Sequence, residues 1–148
     1  MRAIPPPLWA LGALAVTYGL SLLPGLGMTF PVNTRPTGLI VIGLALLLLF
    51  SAILQFRLAK TQLLPSSPTN NSLVTGGVFA LTRNPMYLAM TVFCFGGALW
   101  FGRVGMLAAP VLIFAIANWT FIPFEEAKMR RQFGEAFDAY CERVRRWL

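Results

Sequence analysis

The sequence predicts an all-α integral membrane bundle, about four transmembrane helices followed by a C-terminal amphipathic helix, in a single domain over residues 1–148. Three observations lead there. Hydrophobic residues make up 57% of the chain and charged residues only 11%, about half the charged fraction of an ordinary soluble domain; mean hydropathy is +0.69. Four long apolar stretches carry no charge. All five carboxylates, Glu125, Glu126, Glu135, Asp138 and Glu142, fall in the last 24 residues, so the chain changes character at Glu125.

The first span is expected over about 8–23, after Arg2 and the prolines Pro5–Pro7, with Pro24-Gly25 ending it. Arg2 ahead of an apolar run resembles a signal sequence, but no small-x-small cleavage site follows, so a retained anchor is expected. Arg35-Pro36 punctuates the chain, and about 38–56 is a Leu- and Ile-rich stretch long enough to cross a bilayer core. Arg57 and Lys60 close it, and the turn-forming residues of Leu63–Thr75 make a polar loop. Asn84 is a favoured N-cap and Pro85 a favoured first helical residue, so a third span is predicted over 85–101. Gly102-Arg103 turns the chain into a fourth span over 104–124, with Pro110 as a kink and Asn118 as its amide. Met129, Phe133, Phe137, Tyr140, Val144 and Trp147 then recur every three or four residues, the apolar face of a surface helix over 125–148.

Charge fixes the expected orientation. Arg2, Arg57, Lys60, Arg83, Lys128, Arg130, Arg131, Arg143, Arg145 and Arg146 fall on one side of a four-span arrangement and only Arg35 and Arg103 on the other. The positive-inside rule makes the richer side cytoplasmic, with both termini there, in the inner membrane if the source is bacterial. The formal charge of +7 then reflects contact with anionic membrane lipids; no basic stripe interleaved with stacking aromatics suggests nucleic acid. With no His in the chain, a His-based zinc site and a Ser-His pair are excluded, and no metal is expected. Cys94 and Cys141 suggest neither a disulfide framework nor a catalytic thiol.

Two polar clusters meet at the cytoplasmic ends of the last two spans. The first is Thr82-Arg83-Asn84-Pro85-Met86-Tyr87-Leu88. Arg83 reads either as a positive-inside anchor or, beside free N–H groups at a helix start, as part of a cradle for a carboxylate or phosphate. Asn84 reads as a cap or a ligand contact, and Tyr87 as an interfacial tyrosine or a neighbour of Asn84. The second cluster is Glu125-Glu126, either the acidic start of the tail helix or carboxylates for an ammonium, a ribose hydroxyl or a sulfonium. Asn118, seven residues before Glu125, is expected on the same helix face. Gly76-Gly77 lacks any nucleotide-loop spacing.

Together, Gly76-Gly77-x-Phe79-x-x-Thr82-Arg83-Asn84-Pro85-Met86-Tyr87-Leu88 and Glu125-Glu126-x-x-Met129-x-x-x-Phe133-Gly134-x-x-Phe137-x-x-Tyr140-x-x-x-Val144-x-Arg146-Trp147 resemble the integral membrane methyltransferases, which include isoprenylcysteine carboxyl methyltransferases and phospholipid N-methyltransferases. The resemblance covers about residues 73–148 and is specific in its two-part spacing. It implies S-adenosylmethionine held by Gly76, Gly77, Arg83, Asn84, Tyr87, Leu88, Asn118, Glu125 and Glu126, with Arg83, Glu125 and Glu126 as the catalytic set. Asn84 stands where many members carry His; an amide hydrogen-bonds without titrating, so binding rather than base chemistry is expected there.

The expected acceptor is lipid-like or a small hydrophobic molecule, met in the groove between spans near Phe93, Leu99, Trp119 and Phe121. An isoprenylcysteine carboxylate, a phospholipid amine and a small hydrophobic thiol all fit, and the sequence assigns no oligomeric state. Two other readings stand beside this one: a membrane reductase of the sterol-reductase type using NADPH, and a small membrane protein without enzymatic activity.

Overall fold

The structure, a computed structural model, describes residues 5–60 and 72–148. Arg2 and most of the polar loop expected over Leu63–Thr75 lie outside these residues. Among the described residues all regular elements are helical: α1 (Pro6–Leu20), α2 (Arg35–Leu58), α3 (Pro85–Phe101), α4 (Ala108–Ile116), α5 (Ile122–Phe133) and α6 (Glu135–Arg143), with short 3₁₀ turns at Gly77–Ala80 and Val104–Leu107.

Proline placement starts three of these helices. Pro6, Pro36 and Pro85 each sit in the first two helical positions, where no N–H is missed and φ is already helical. α3 keeps the bounds expected from sequence. α2 is longer at both ends than expected, and α1 begins at Pro6 and stops at Leu20. By length and composition, α2 and the continuous 30-residue helix Val104–Phe133 can cross a membrane, and α3 is a shorter apolar helix. At about 1.5 Å per residue, the 15 residues of α1 reach only about 22 Å.

α3 is the hub of the bundle, with α2 on one side and α1 and α4 on the other. The α2–α3 contact is close because both helices are small there. A Cβ on Gly38 would lie 2.5 Å from the Trp100 nitrogen and 2.9 Å from the Gly96 carbonyl oxygen, so only glycine lets the backbones approach this far. Ala45 and Ala52 continue the same buried stripe. Opposite it, Leu39, Leu44, Leu47, Phe50 and Leu54 point outward, the surface a helix in lipid presents. The core between α1, α3 and α4 is built on Ala10, Tyr87, Met90, Cys94, Ile113, Phe121 and Ile122. At the end away from the polar clusters, Arg103 Nη1 donates to the Ser21 carbonyl at 2.8 Å and closes the C-terminus of α1.

The C-terminal region departs from the single helix expected over 125–148. The helix of the fourth apolar run does not stop at Phe124; it passes through Glu125-Glu126 to Phe133. It breaks at Gly134, whose φ of 51° and ψ of −127° lie in a region open essentially to glycine. α6 follows, and Val144 (φ −124°, ψ 130°) begins an extended strap. The periodic aromatics therefore divide. Phe137 and Tyr140 are buried by α6, each contributing on the order of 1.5–3 kcal/mol of burial, whereas Trp147 reaches the core from the strap and stacks on Phe114 at 4.6 Å.

A second departure lies inside the long helix. Ala117–Phe121 winds as a π-turn between α4 and α5. Such a turn absorbs one extra residue, and everything beyond it rotates by about 100° relative to an uninterrupted α-helix.

Candidate functional site

The two polar clusters do meet. Phe56, Ser72, Leu73, Val74, Phe79, Arg83, Asn84, Glu125, Glu126, Met129, Phe137 and Tyr140 enclose a pocket of about 80 Å³ between the end of α2, the start of α3, α5 and α6. That volume is well under the roughly 300–1,000 Å³ of a ligand pocket, so the tail packs closely over the site.

The adjacent glutamates diverge. Glu125 Oε1 accepts a 2.6 Å hydrogen bond from the Tyr87 hydroxyl. Tyr87 is itself buried and stacked on Phe121, ring centroids 5.9 Å apart. Glu126 faces the other way. Its Oε1 lies 3.2 Å from Arg83 Nη2, and Arg146 donates to both its oxygens, Nε to Oε1 at 3.2 Å and Nη2 to Oε2 at 2.6 Å. Successive helical residues point about 100° apart, which is how one sequence doublet serves two partners.

Arg83 is held two residues ahead of α3. Its backbone N–H donates to the Arg145 carbonyl at 3.0 Å. Its side chain is 14% exposed, and its Nε–H is buried and meets no acceptor among the described residues. A buried guanidinium N–H facing a pocket without an acceptor is costly unless a ligand completes it.

Asn84 does not cap α3 with its side chain as the sequence suggests. Its Nδ2 instead donates to the Arg146 carbonyl at 2.9 Å, while Thr82 Oγ1 accepts from the Asn84 N–H at 3.2 Å and donates to the same carbonyl at 3.1 Å. Asn84 keeps the N-cap position, and its amide is oriented by the strap. Asn118 meets the strap. Its Oδ1 accepts from Trp147 Nε1 at 3.1 Å and from Arg146 Nη1 at 3.5 Å. Asn118 lies within the π-turn Ala117–Phe121, where one absorbed residue shifts the direction of every residue beyond it by about 100°.

Tyr87, Leu88, Asn118, Gly76 and Gly77 do not line the pocket. Leu88 donates its N–H to the Asn84 carbonyl at 3.0 Å as part of the first turn of α3. Gly76 and Gly77 build the approach to the motif. Gly77 has φ 56°, and a Cβ there would meet the Gln55 amide at 2.5 Å. In the orientation that satisfies that amide, Gln55 donates to the Gly76 carbonyl at 2.6 Å and accepts from the Val78 N–H at 3.1 Å, fastening the turn to α2.

Several residues of the site carry no sequence signal as such. Phe56 arrives from α2 and packs on Phe79, centroids 4.9 Å apart. Tyr140, readable only as apolar face, donates its hydroxyl to the Phe79 carbonyl at 2.6 Å and pins α6 over the pocket; burial raises the pKa of that phenol. Arg146 sits 20 residues from Glu126, outside any helical period. Among the described residues no cluster of His, Cys, Asp or Glu could hold a metal ion.

The chain is of the integral membrane methyltransferase class, here an all-helical bundle in which an arginine ahead of a helix and a glutamate pair line one pocket. A model of the phospholipid methyltransferase family matches residues 34–136, and the chain belongs to that family. Protein-S-isoprenylcysteine O-methyltransferase B of Arabidopsis thaliana is 31% identical over 81 residues, covering 51% of this chain and 38% of the relative. The eukaryotic intramembrane Ras methyltransferase, an isoprenylcysteine carboxyl methyltransferase solved without a monobody, shares the fold at a TM-score of 0.66 and 21% identity, over 93% of this chain and 49% of that one. The chain thus spans half or less of the length of both relatives.

Proposed function

We propose that the chain transfers a methyl group from S-adenosylmethionine to a lipid-like or small hydrophobic acceptor, of the isoprenylcysteine carboxylate or phospholipid amine type, at the cytoplasmic membrane face. The observation that carries this reading is the buried, acceptor-less Nε–H of Arg83 in a pocket that also holds Glu125 and Glu126. The donor's carboxylate and its ammonium and sulfonium need one anion acceptor and one anion in close quarters, and the pocket has both. When bound, that donor supplies an activated methyl on sulfur, and its transfer is an in-line displacement that depends chiefly on positioning and exclusion of water.

The chain's own residues divide that work. Arg83 binds a carboxylate. Glu125, oriented by Tyr87, faces the pocket as the carboxylate that no guanidinium holds, and it takes the proton released when an amine is the acceptor. Glu126 keeps Arg83 in place. Phe56, Phe79, Met129 and Phe137 are the walls that exclude water. The exposed apolar faces of the helices alongside suit an acceptor arriving from lipid. Titration of the purified protein with S-adenosylhomocysteine and with NADPH tests the reading. Saturable binding of the first alone supports it; saturable binding of NADPH alone favours the reductase, and binding of neither leaves a protein without this chemistry.

A further inference from the structure

The strap after α6 is tied to the site at more points than any helix. Carbonyls of Arg145 and Arg146 accept from the Arg83 N–H, the Thr82 hydroxyl and the Asn84 amide. Arg146 then spans the gap to the long helix with its guanidinium on both oxygens of Glu126 and on Asn118. Arg146 does not line the pocket.

Glu126 is therefore shared by two guanidiniums, and the sharing is unequal. Arg146 makes two contacts, one of 2.6 Å and one of 3.2 Å, whereas Arg83 makes a single one at 3.2 Å. Of the roughly four lone-pair positions of the carboxylate, Arg146 takes two and Arg83 one. Arg83, which lines the pocket, keeps a buried Nε–H without an acceptor among the described residues. Without Arg146, Glu126 is free to close on Arg83 as a complete ion pair, and the cation is withdrawn from the ligand.

We infer that Arg146 is a positioning residue: by holding Glu126, it keeps the Arg83 guanidinium available to an anionic group of the ligand. The inference rests on the reading of the pocket as a methyl-donor site and adds a residue and a mode of action to it. The charged groups facing this arrangement are Arg83 ahead of α3 and Glu125, Glu126 and Lys128 on α5. Lys128 has interactions of its own.

The test uses the full chain in detergent and S-adenosylhomocysteine as the probe, with affinity measured by calorimetry. Arg146→Ala is expected to weaken binding at least tenfold, and Arg146→Lys, which keeps the charge without the fork, to recover part of that loss. Arg83→Ala with Arg146→Ala should be no weaker than Arg83→Ala alone, since Arg146 acts through Arg83. Trp147→Phe, which loosens the strap at Asn118 but leaves Arg146, should stay within about threefold of wild type, where tenfold is about 1.4 kcal/mol. Equal affinity of Arg146→Ala and wild type, multiplying effects of the two arginine changes, or an equally damaging Trp147→Phe would each overturn the inference. Should Arg146→Ala fail to fold, Arg146→Lys decides, with no loss of affinity counting against. A wild type that binds no S-adenosylhomocysteine removes the donor-site reading itself, and the inference with it.

Discussion

Replacing Tyr87 with phenylalanine removes one hydroxyl and leaves the ring that stacks on Phe121. The lost bond is the 2.6 Å contact to Glu125 Oε1, within the range of O–H···O⁻ hydrogen bonds. Tyr87 is 5% exposed, so water does not readily replace the phenol. A hydrogen bond to a charged group in such a setting contributes about 1.5–3 kcal/mol, and the partner left behind bears the desolvation cost. Two readouts follow. The melting temperature in detergent should fall by several degrees, at about 2–4 °C per kcal/mol for a chain of this size. If Glu125 contacts the donor, S-adenosylhomocysteine should bind about ten- to a hundredfold more weakly, because the carboxylate is no longer aimed. A Tyr87→Phe protein that melts and binds like wild type would refute the reasoning, since the hydroxyl would then be orienting nothing.

Truncation after Arg131 removes α6 and the strap; it should abolish S-adenosylhomocysteine binding while the apolar helices still insert, and normal binding would show that the tail does not close the pocket. Changing Cys94 to Ala and Cys141 to Ser should cost less than about tenfold in activity, about 1.4 kcal/mol of barrier, because neither thiol lines the pocket; a larger loss would point to a covalent step. In that cysteine-free chain, single cysteines at Thr75 and Glu142 should react with an impermeant maleimide from the cytoplasmic side and one at Val32 only from the other, and labelling of Thr75 and Glu142 from opposite sides would overturn the proposed orientation.

The elements legible in the sequence are those set by composition and by proline. The uncharged runs foretell the apolar helices, and Pro85 fixes the start of α3 to the residue. That the Arg83 region and the Glu pair come together is legible from the hairpin of the last two spans, which returns both clusters to one membrane face, and again from the two-part motif. Asn84 holds the expected N-cap position and lines the pocket; the direction of its amide is not legible because its partner, the Arg146 carbonyl, is 62 residues away. The tail was read as one helix because its aromatics keep a helical period; the period survives the break at Gly134, but the fold does not. The motif includes Val144-x-Arg146-Trp147 but does not identify the strap's partners, because its bonds to the first cluster are made largely by backbone carbonyls that every residue possesses.

The π-turn is the one local feature on which the partnering of the glutamates depends, and it makes a prediction opposite to ordinary intuition about helices. In an uninterrupted helix, Asn118 would align with Glu125, seven residues on, about 20° from coincidence. Here Arg146 touches Asn118 and Glu126 together, and Ala117–Phe121 between them has taken up one residue. Deleting Trp119, which is 71% exposed and sits inside that turn, should let the segment relax to α geometry. The residues beyond would keep their directions, so Tyr87 would still meet Glu125 and Arg146 would still meet Glu126. Inserting an alanine after Trp119 has the reverse consequence: a further rotation of about 100° carries both carboxylates off their partners. S-adenosylhomocysteine affinity of the deletion should remain within about tenfold of wild type, while the insertion should lose binding. Equal loss in both variants would mean that the π-turn is needed for its own shape, and not only as the device that sets the direction of the glutamates.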